Sequence, residues 1–124
     1  DGRMNVGMGQ HGEAGTGEQE IKTADETAQI MLEMLLKDLD MQSGEDLLVM
    51  INGVGSATLM ELYIVLRQVK RLCDAKGINL ARALVGEYLT VQEMGGFQMC
   101  VARMDDEMLE LWDAPCCTPA LTIR

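Results

Sequence analysis

The sequence predicts an α/β fold, a two-layer sandwich of a mixed β-sheet and helices. Three observations carry that expectation. Leu47, Leu48, Val49, Met50 and Ile51 form an unbroken apolar run of strand length, as expected of a strand covered on both faces. Residues 97–104 alternate instead, with Phe97, Met99 and Val101 set against Gln98, Cys100 and Ala102, the period of a strand with two different faces. Two further segments carry apolar residues at helical spacing: Ala28, Met31, Leu32, Leu35, Leu36 and Leu39, then Leu59, Leu62, Tyr63, Leu66, Val69 and Cys73.

The elements follow in order. Residues 1–17 hold six of the thirteen glycines. Residues 4–9 suit a short strand with Val6 and Met8 on one face, and from Gln10 onward the composition is that of a loop. Thr23-Ala24-Asp25-Glu26 is a capping box that opens a helix ending near Leu39. Residues 46–52 are the next strand. It ends in the tight loop Asn52-Gly53-Val54-Gly55-Ser56, where Ser56 is placed to cap the following helix. Lys70, Arg71 and Lys76 suit the C-terminal end of that helix, and Gly77 suits its C-cap. Residues 78–85 form another strand, and 86–96 a loop-rich stretch with room for a short helix over 90–94. After the strand at 97–104, Asp105-Asp106-Glu107 opens a last helix with Met108, Leu109, Leu111 and Trp112 on its apolar side. Pro115 stops it, and the tail from Cys116 is an extension. This order of strands and helices is what calls for a mixed sheet.

Composition bounds the partners. The chain has 124 residues, enough for one domain with a real core. Twenty acidic residues face ten basic ones, a net charge of −10, with no basic block. Neither nucleic acid nor an anionic membrane is therefore expected as a partner, because a phosphate-binding face needs clustered Lys and Arg. No apolar run approaches the ~20 residues of a membrane span. The polar, Gly-rich beginning lacks the pattern of a secretory leader, so a cytoplasmic location is expected. Of the four cysteines, Cys116 and Cys117 are adjacent, which is not a metal spacing, and the single histidine cannot complete a Cys/His zinc set. They are expected to be free thiols. Aromatic residues are only 3% of the chain, so the core must be aliphatic, with the eleven methionines as filler.

Chemistry is most plausible in Gln10-His11-Gly12-Glu13-Ala14-Gly15. His11 is the one imidazole of the chain, and glycines frame it. Glycine lets backbone approach a ligand closely and leaves the ring short of bulky neighbours. A metal is not expected with one histidine and no acidic cluster at ligand spacing. A general base or a nucleophile both remain open; as a nucleophile, neutral imidazole can add to a ketone or aldehyde carbonyl. Gly53-Val54-Gly55 precedes a helix but lacks the Lys-Ser/Thr ending of a phosphate-binding loop, so tight strand-to-helix turning accounts for it better than nucleotide binding. Glu87, Glu93, Asp105 and Asp106 read as solvated loop or cap residues.

Five collinear blocks carry a resemblance. Val6-Gly7-Met8-Gly9-Gln10-His11-Gly12-Glu13-Ala14-Gly15 resembles the histidine signature of the dihydroxyacetone kinase K domain. Asn52-Gly53-Val54-Gly55 with Leu59-Met60-Glu61-Leu62-Tyr63-Ile64-Val65, then Leu84-Val85-Gly86-Glu87-Tyr88-Leu89-Thr90, Glu93-Met94-Gly95-Gly96-Phe97, and Leu111-Trp112-Asp113-Ala114-Pro115 with Thr118-Pro119-Ala120-Leu121 continue it along nearly the whole chain. The resemblance implies that residues 1–124 are the C-terminal domain of a two-domain, dihydroxyacetone-binding K subunit, with the N-terminal domain absent from this sequence. It implies that His11 holds dihydroxyacetone as a covalent hemiaminal. It further implies that this chain binds no cofactor itself, that ATP or ADP with Mg sits on a separate L domain or subunit, that a phosphotransferase-system M subunit is a further partner in bacterial forms, and that the subunit is a homodimer. The alternative within the same family is a non-catalytic, dihydroxyacetone-sensing paralogue that acts as a transcriptional co-activator. Departures from the family pattern are Gln10, Ala14 in place of a frequent Pro, Glu87 in place of a frequent Asn, and the acidic Thr16-Gly17-Glu18-Gln19-Glu20 where an Arg-rich segment is common.

Overall fold

A computed structural model of the chain describes residues 2–9 and 14–123. Its centre is β3 (Asp46–Gly53), which lies between β4 (Asn79–Gly86) and β5 (Phe97–Met104). β4 runs parallel to β3 and β5 antiparallel, so the sheet is mixed, as the order of elements predicts. Parallel pairing of β3 and β4 requires a crossover, and α2 (Leu59–Lys76) supplies it. With α1 (Ala24–Asp38) it forms the helical layer of a two-layer α/β sandwich.

The core forms where one face of β3 meets these helices. Leu47, Val49 and Ile51 are inaccessible to solvent and pack with Ala28, Leu32, Leu62, Val65, Val69 and Cys73. The opposite face of β3 is also covered at Leu48, which explains why its sequence does not alternate. Arg82 on β4 and Asp113 at the end of α3 (Asp106–Asp113) form a two-pronged ion pair, with Arg82 Nε 2.7 Å from Asp113 Oδ1. The contact ties the last helix to the far strand of the sheet.

Local chemistry sets the helix ends. Thr23 and Glu26 form the expected capping box: the Thr23 hydroxyl accepts from the Glu26 amide at 3.2 Å and the Glu26 carboxylate accepts from the Thr23 amide at 3.0 Å. Gly77 ends α2 at φ 70°, the left-handed turn that favours glycine. The cap of α2 is Thr58, not Ser56, and it too forms a reciprocal box, with Glu61. Ser56 is committed elsewhere: its amide and its hydroxyl both donate to the Met94 carbonyl, at 3.1 and 3.0 Å.

Three other segments depart from the sequence expectation. Residues 90–94 are not helical. Glu93 takes a φ of 55°, Val91 donates its amide to the Val54 carbonyl and Met94 bridges to Gly55, so the backbone groups a helix would use are bound to the β3–α2 turn. β1 (Arg3–Val6) is shorter than expected because Gly7 turns the chain at φ 73°; Val6 is buried whereas Met8 is exposed. β2 (Gly17–Glu20), an antiparallel partner of β1, falls in a stretch too polar to show strand periodicity. The tail folds back as a short pair, β6 (Cys116–Cys117) with β7 (Thr122–Ile123). Among the described residues no helix is long and apolar enough to cross a membrane.

Candidate functional site

Two glycine-bearing segments meet where β3 and β4 end. In open α/β sheets this carboxyl end is where ligands bind. The first segment is the β3–α2 turn. The second is the β4–β5 loop, residues 87–96, which folds back over that turn: Val54 donates its amide to Gly96, Val91 donates to Val54, and Ser56 donates to Met94. The turn and the loop are thereby one unit.

Asn52 joins the unit to the sheet. Its side-chain oxygen accepts from the amides of Tyr88 at 2.7 Å and Leu89 at 3.1 Å. Its side-chain nitrogen donates to the Leu89 carbonyl at 2.7 Å and to Gln98 Oε1 at 2.9 Å. Glu87 lies on the other side of the strand end, where its side chain and that of Leu62 flank Gly53. Burial, with a smaller contribution from Tyr63, raises the Tyr88 phenol above its ordinary value.

A further glycine-bearing segment belongs to the β1–β2 hairpin. Its neck is closed: Thr16 donates both its amide, at 2.8 Å, and its hydroxyl, at 3.0 Å, to the Val6 carbonyl. Gly15 packs so tightly here that a Cβ would lie 2.4 Å from that same oxygen. The hairpin reaches α1 through Thr27, whose hydroxyl donates to the Met4 sulfur at 3.9 Å. Leu36 and Lys37 of α1 share a surface hollow with Lys76 and Ile78, at the end where β4 begins. The start of α1 lies beside the middle of α2, where Asp25 pairs with Arg67 at 2.9 Å. His11, with Gln10, Gly12 and Glu13, lies outside the described residues.

Several large apolar side chains around the carboxyl end of β3 are exposed. Met60 is 71% accessible, and Leu59, Tyr63, Leu89 and Val91 are each more than half accessible. Leu59 and Met60 open α2, and Leu89 and Val91 belong to the loop held against the turn before it, so these exposed residues rim the unit of turn and loop. Exposed apolar residues concentrated in one place mark an interaction surface. The periodicity of the sequence assigned Leu59 and Tyr63 to the buried stripe of α2; the structure turns both outward, and Leu62 and Val65 take the core positions.

The residues at the N-terminus of α2 do not fit the phosphates of a nucleotide. The Glu61 carboxylate already accepts from the Thr58 amide and hydroxyl, both at 2.7 Å. An anion placed there would meet that charge rather than a bare helix end. Among the described residues, no group of three or more His, Cys, Asp or Glu side chains could hold a metal ion. Thr58 was missed as the cap although the spacing Thr58-x-x-Glu61 is itself a capping signature.

Fold and loops together define a mixed-sheet α/β domain with two glycine-bearing segments gathered at the carboxyl ends of two parallel strands. The Dak1 domain profile matches residues 1–120, and the chain belongs to that family. It is 38% identical over 119 residues to the dihydroxyacetone-binding subunit DhaK of PTS-dependent dihydroxyacetone kinase 2 from Listeria innocua, an alignment that covers 96% of this chain and 36% of that protein. It is 36% identical over 124 residues to the L-erythrulose kinase of Pectobacterium atrosepticum, covering 97% of this chain and 21% of that one. Among solved structures, the dihydroxyacetone kinase operon co-activator Dha-DhaQ superimposes with a TM-score of 0.83 at 25% identity, over 92% of this chain and 36% of the other. The chain thus spans about a third or less of the length of these relatives.

Proposed function

We propose that this chain is the C-terminal domain of a ketose-binding kinase subunit, and that His11 holds the substrate, dihydroxyacetone, as a covalent hemiaminal. The observation that carries the proposal is the Gly9-Gln10-His11-Gly12-Glu13-Ala14-Gly15 block, within a Dak1 chain that contains one histidine. The closed neck of the hairpin, with its two ends held at Val6 and Thr16, supports it.

In the adduct, a ring nitrogen of the neutral imidazole donates its lone pair to the carbonyl carbon. The carbonyl π electrons move to oxygen, which takes a proton, and the ring gives up its N–H proton. Nothing leaves, so the protein gains one whole ketose. A plain polyol has no carbonyl and is not held. The anchored terminal hydroxyl is then presented to a phosphoryl group carried by a partner, so catalysis is mostly positioning. The phosphoryl group would come from ATP or ADP with Mg on an L subunit or domain, or from the phosphotransferase system through an M subunit. The exposed apolar rim suits a surface on which such a partner or the remaining domain closes.

The test is to incubate the full-length subunit with dihydroxyacetone and measure intact and peptide mass. The expected result is a gain of one ketose, without loss of water, on the peptide that contains His11. The His11→Ala variant should show no gain and at least tenfold weaker binding. Unchanged affinity in that variant overturns the proposal.

A second reading is favoured by the structural likeness to the Dha-DhaQ co-activator. In that case His11 binds the ketose and no phosphate is transferred. Full-length protein supplied with L and M partners decides between them: formation of dihydroxyacetone phosphate supports the kinase, and binding without product supports the sensor.

A further inference from the structure

Among the described residues, Asn52 is the one buried polar side chain, 1% accessible. By the alternation of β3 it projects on the same side as Leu48 and Met50, away from Leu47, Val49 and Ile51. An apolar residue would fill that place without the cost of desolvating an amide. Two donors and two acceptor sites are all that an asparagine amide has, and all four are engaged. None of the four bonds is to a neighbouring strand's backbone within the register of the sheet. Three go to the backbone of Tyr88 and Leu89 and one to Gln98 Oε1.

The arrangement has a specific mechanical effect. β4 leaves the sheet at Gly86, so the next backbone groups have lost their strand partner. Leu89 gives both its amide and its carbonyl to the Asn52 side chain, the reciprocal pairing that two strands make with each other. The side chain thus extends the sheet by one rung, just where the 87–96 loop departs. Beyond it, Val91 and Met94 close on the β3–α2 turn. Glu87 is carried to the helix side of the strand end, and Tyr88 and Leu89 to the other. This one amide therefore fixes the start of the loop, at Tyr88 and Leu89.

We propose that Asn52 is a positioning residue for the ketose site: by clamping Tyr88 and Leu89 it sets the wall that residues 87–89 present at the carboxyl end of β3, and thereby the affinity for the substrate. The proposal rests on the reading of that end as the ketose site, and its test separates the two. The variant is Asn52→Asp in the full-length subunit, which keeps the shape and both acceptor sites but loses the two N–H donors. The ionised carboxylate also faces the Leu89 carbonyl without a proton to share.

Hydrogen exchange should accelerate at the Tyr88 and Leu89 amides while Val49 and Ile51 remain protected. The dissociation constant for dihydroxyacetone should rise at least tenfold, and KM should rise with it in the complete kinase while kcat at saturation stays within about twofold. A role confined to stability would leave both constants of the folded variant unmoved. Loosened amides with affinity within twofold of the parent overturn the proposal, and so do unloosened amides. If Asn52→Asp does not fold, Gln98→Ala decides. It deletes a single one of the four bonds, and a two- to threefold rise in the dissociation constant supports the proposal whereas no change overturns it. If the parent protein binds the ketose but forms no adduct, the His11 anchor fails while the effect of Asn52 on affinity still stands or falls on its own measurement.

Discussion

Gly55 and Val91 meet so closely that a Cβ on Gly55 would lie 2.2 Å from the Val91 carbonyl oxygen. Gly55 also has a φ of 135°, where a side chain is strained whatever the space. Two independent reasons therefore require glycine where the β3–α2 turn passes beneath the 87–96 loop. Gly55→Ala should lower stability by about 1–3 kcal/mol, the usual cost of forcing such a backbone conformation. Urea unfolding measures the loss. The amides of Ser56 and Val91, which bridge turn and loop, should exchange faster in this variant than those of β3. Parent-like stability would mean that the loop does not rest on the turn.

Thiol reactivity should divide the cysteines. Cys73 is inaccessible in the core, and burial, then the Asp74 carboxylate, pushes its thiol up. Because the thiolate is the reactive form, both effects slow alkylation. Cys100 and Cys117 are exposed. Brief treatment with iodoacetamide followed by peptide mass spectrometry should modify Cys100 and Cys117 in the native chain and leave Cys73 intact until denaturant is added. Early labelling of Cys73 would show that α2 does not stay closed on the sheet.

The capping boxes predict an acid limb to stability. The Thr23 hydroxyl and then its amide hold the Glu26 carboxyl below the usual glutamate range, and Thr58 does the same for Glu61. The hydrogen bond from Arg82 lowers Asp113 likewise. For each group the folded form holds its proton less tightly than the unfolded form. The stability that this contributes is fully present above the ordinary carboxylate range and is lost as pH falls through the lowered values, below about pH 4. Thermal midpoints measured from neutral pH downward should be level and then fall on that limb. Glu61→Gln, which keeps an acceptor but cannot titrate, should flatten the fall. An equally steep limb in that variant would remove Glu61 as a contributor.

The elements that could be read in advance are those whose physics is local. The Thr23-Glu26 box and the Gly77 cap show in short motifs because a helix end needs a particular acceptor or a particular φ within a few residues. The apolar run of β3 and the alternation of β5 show because burial on two faces or one acts residue by residue. The partners of Ser56, the non-helical path of 90–94 and the strand β2 did not show. Each depends on hydrogen bonds to distant residues, such as Ser56 with Met94 and Ile21 with Gly2, and no local pattern encodes those.

The same division holds for the site. Sequence alone singled out His11, because one imidazole in a glycine frame and five collinear blocks are properties of the chain's order. It also placed Asn52 in a motif without giving it a task. Only the tertiary structure decided that task, since the Asn52 amide acquires its four partners when residues 36, 37 and 46 positions further along are folded back onto it. Covalent order determines which groups exist and which helices and strands they favour. Which of those groups meet is decided by the packing of β3 against its two neighbours and by the return of the loop across its end.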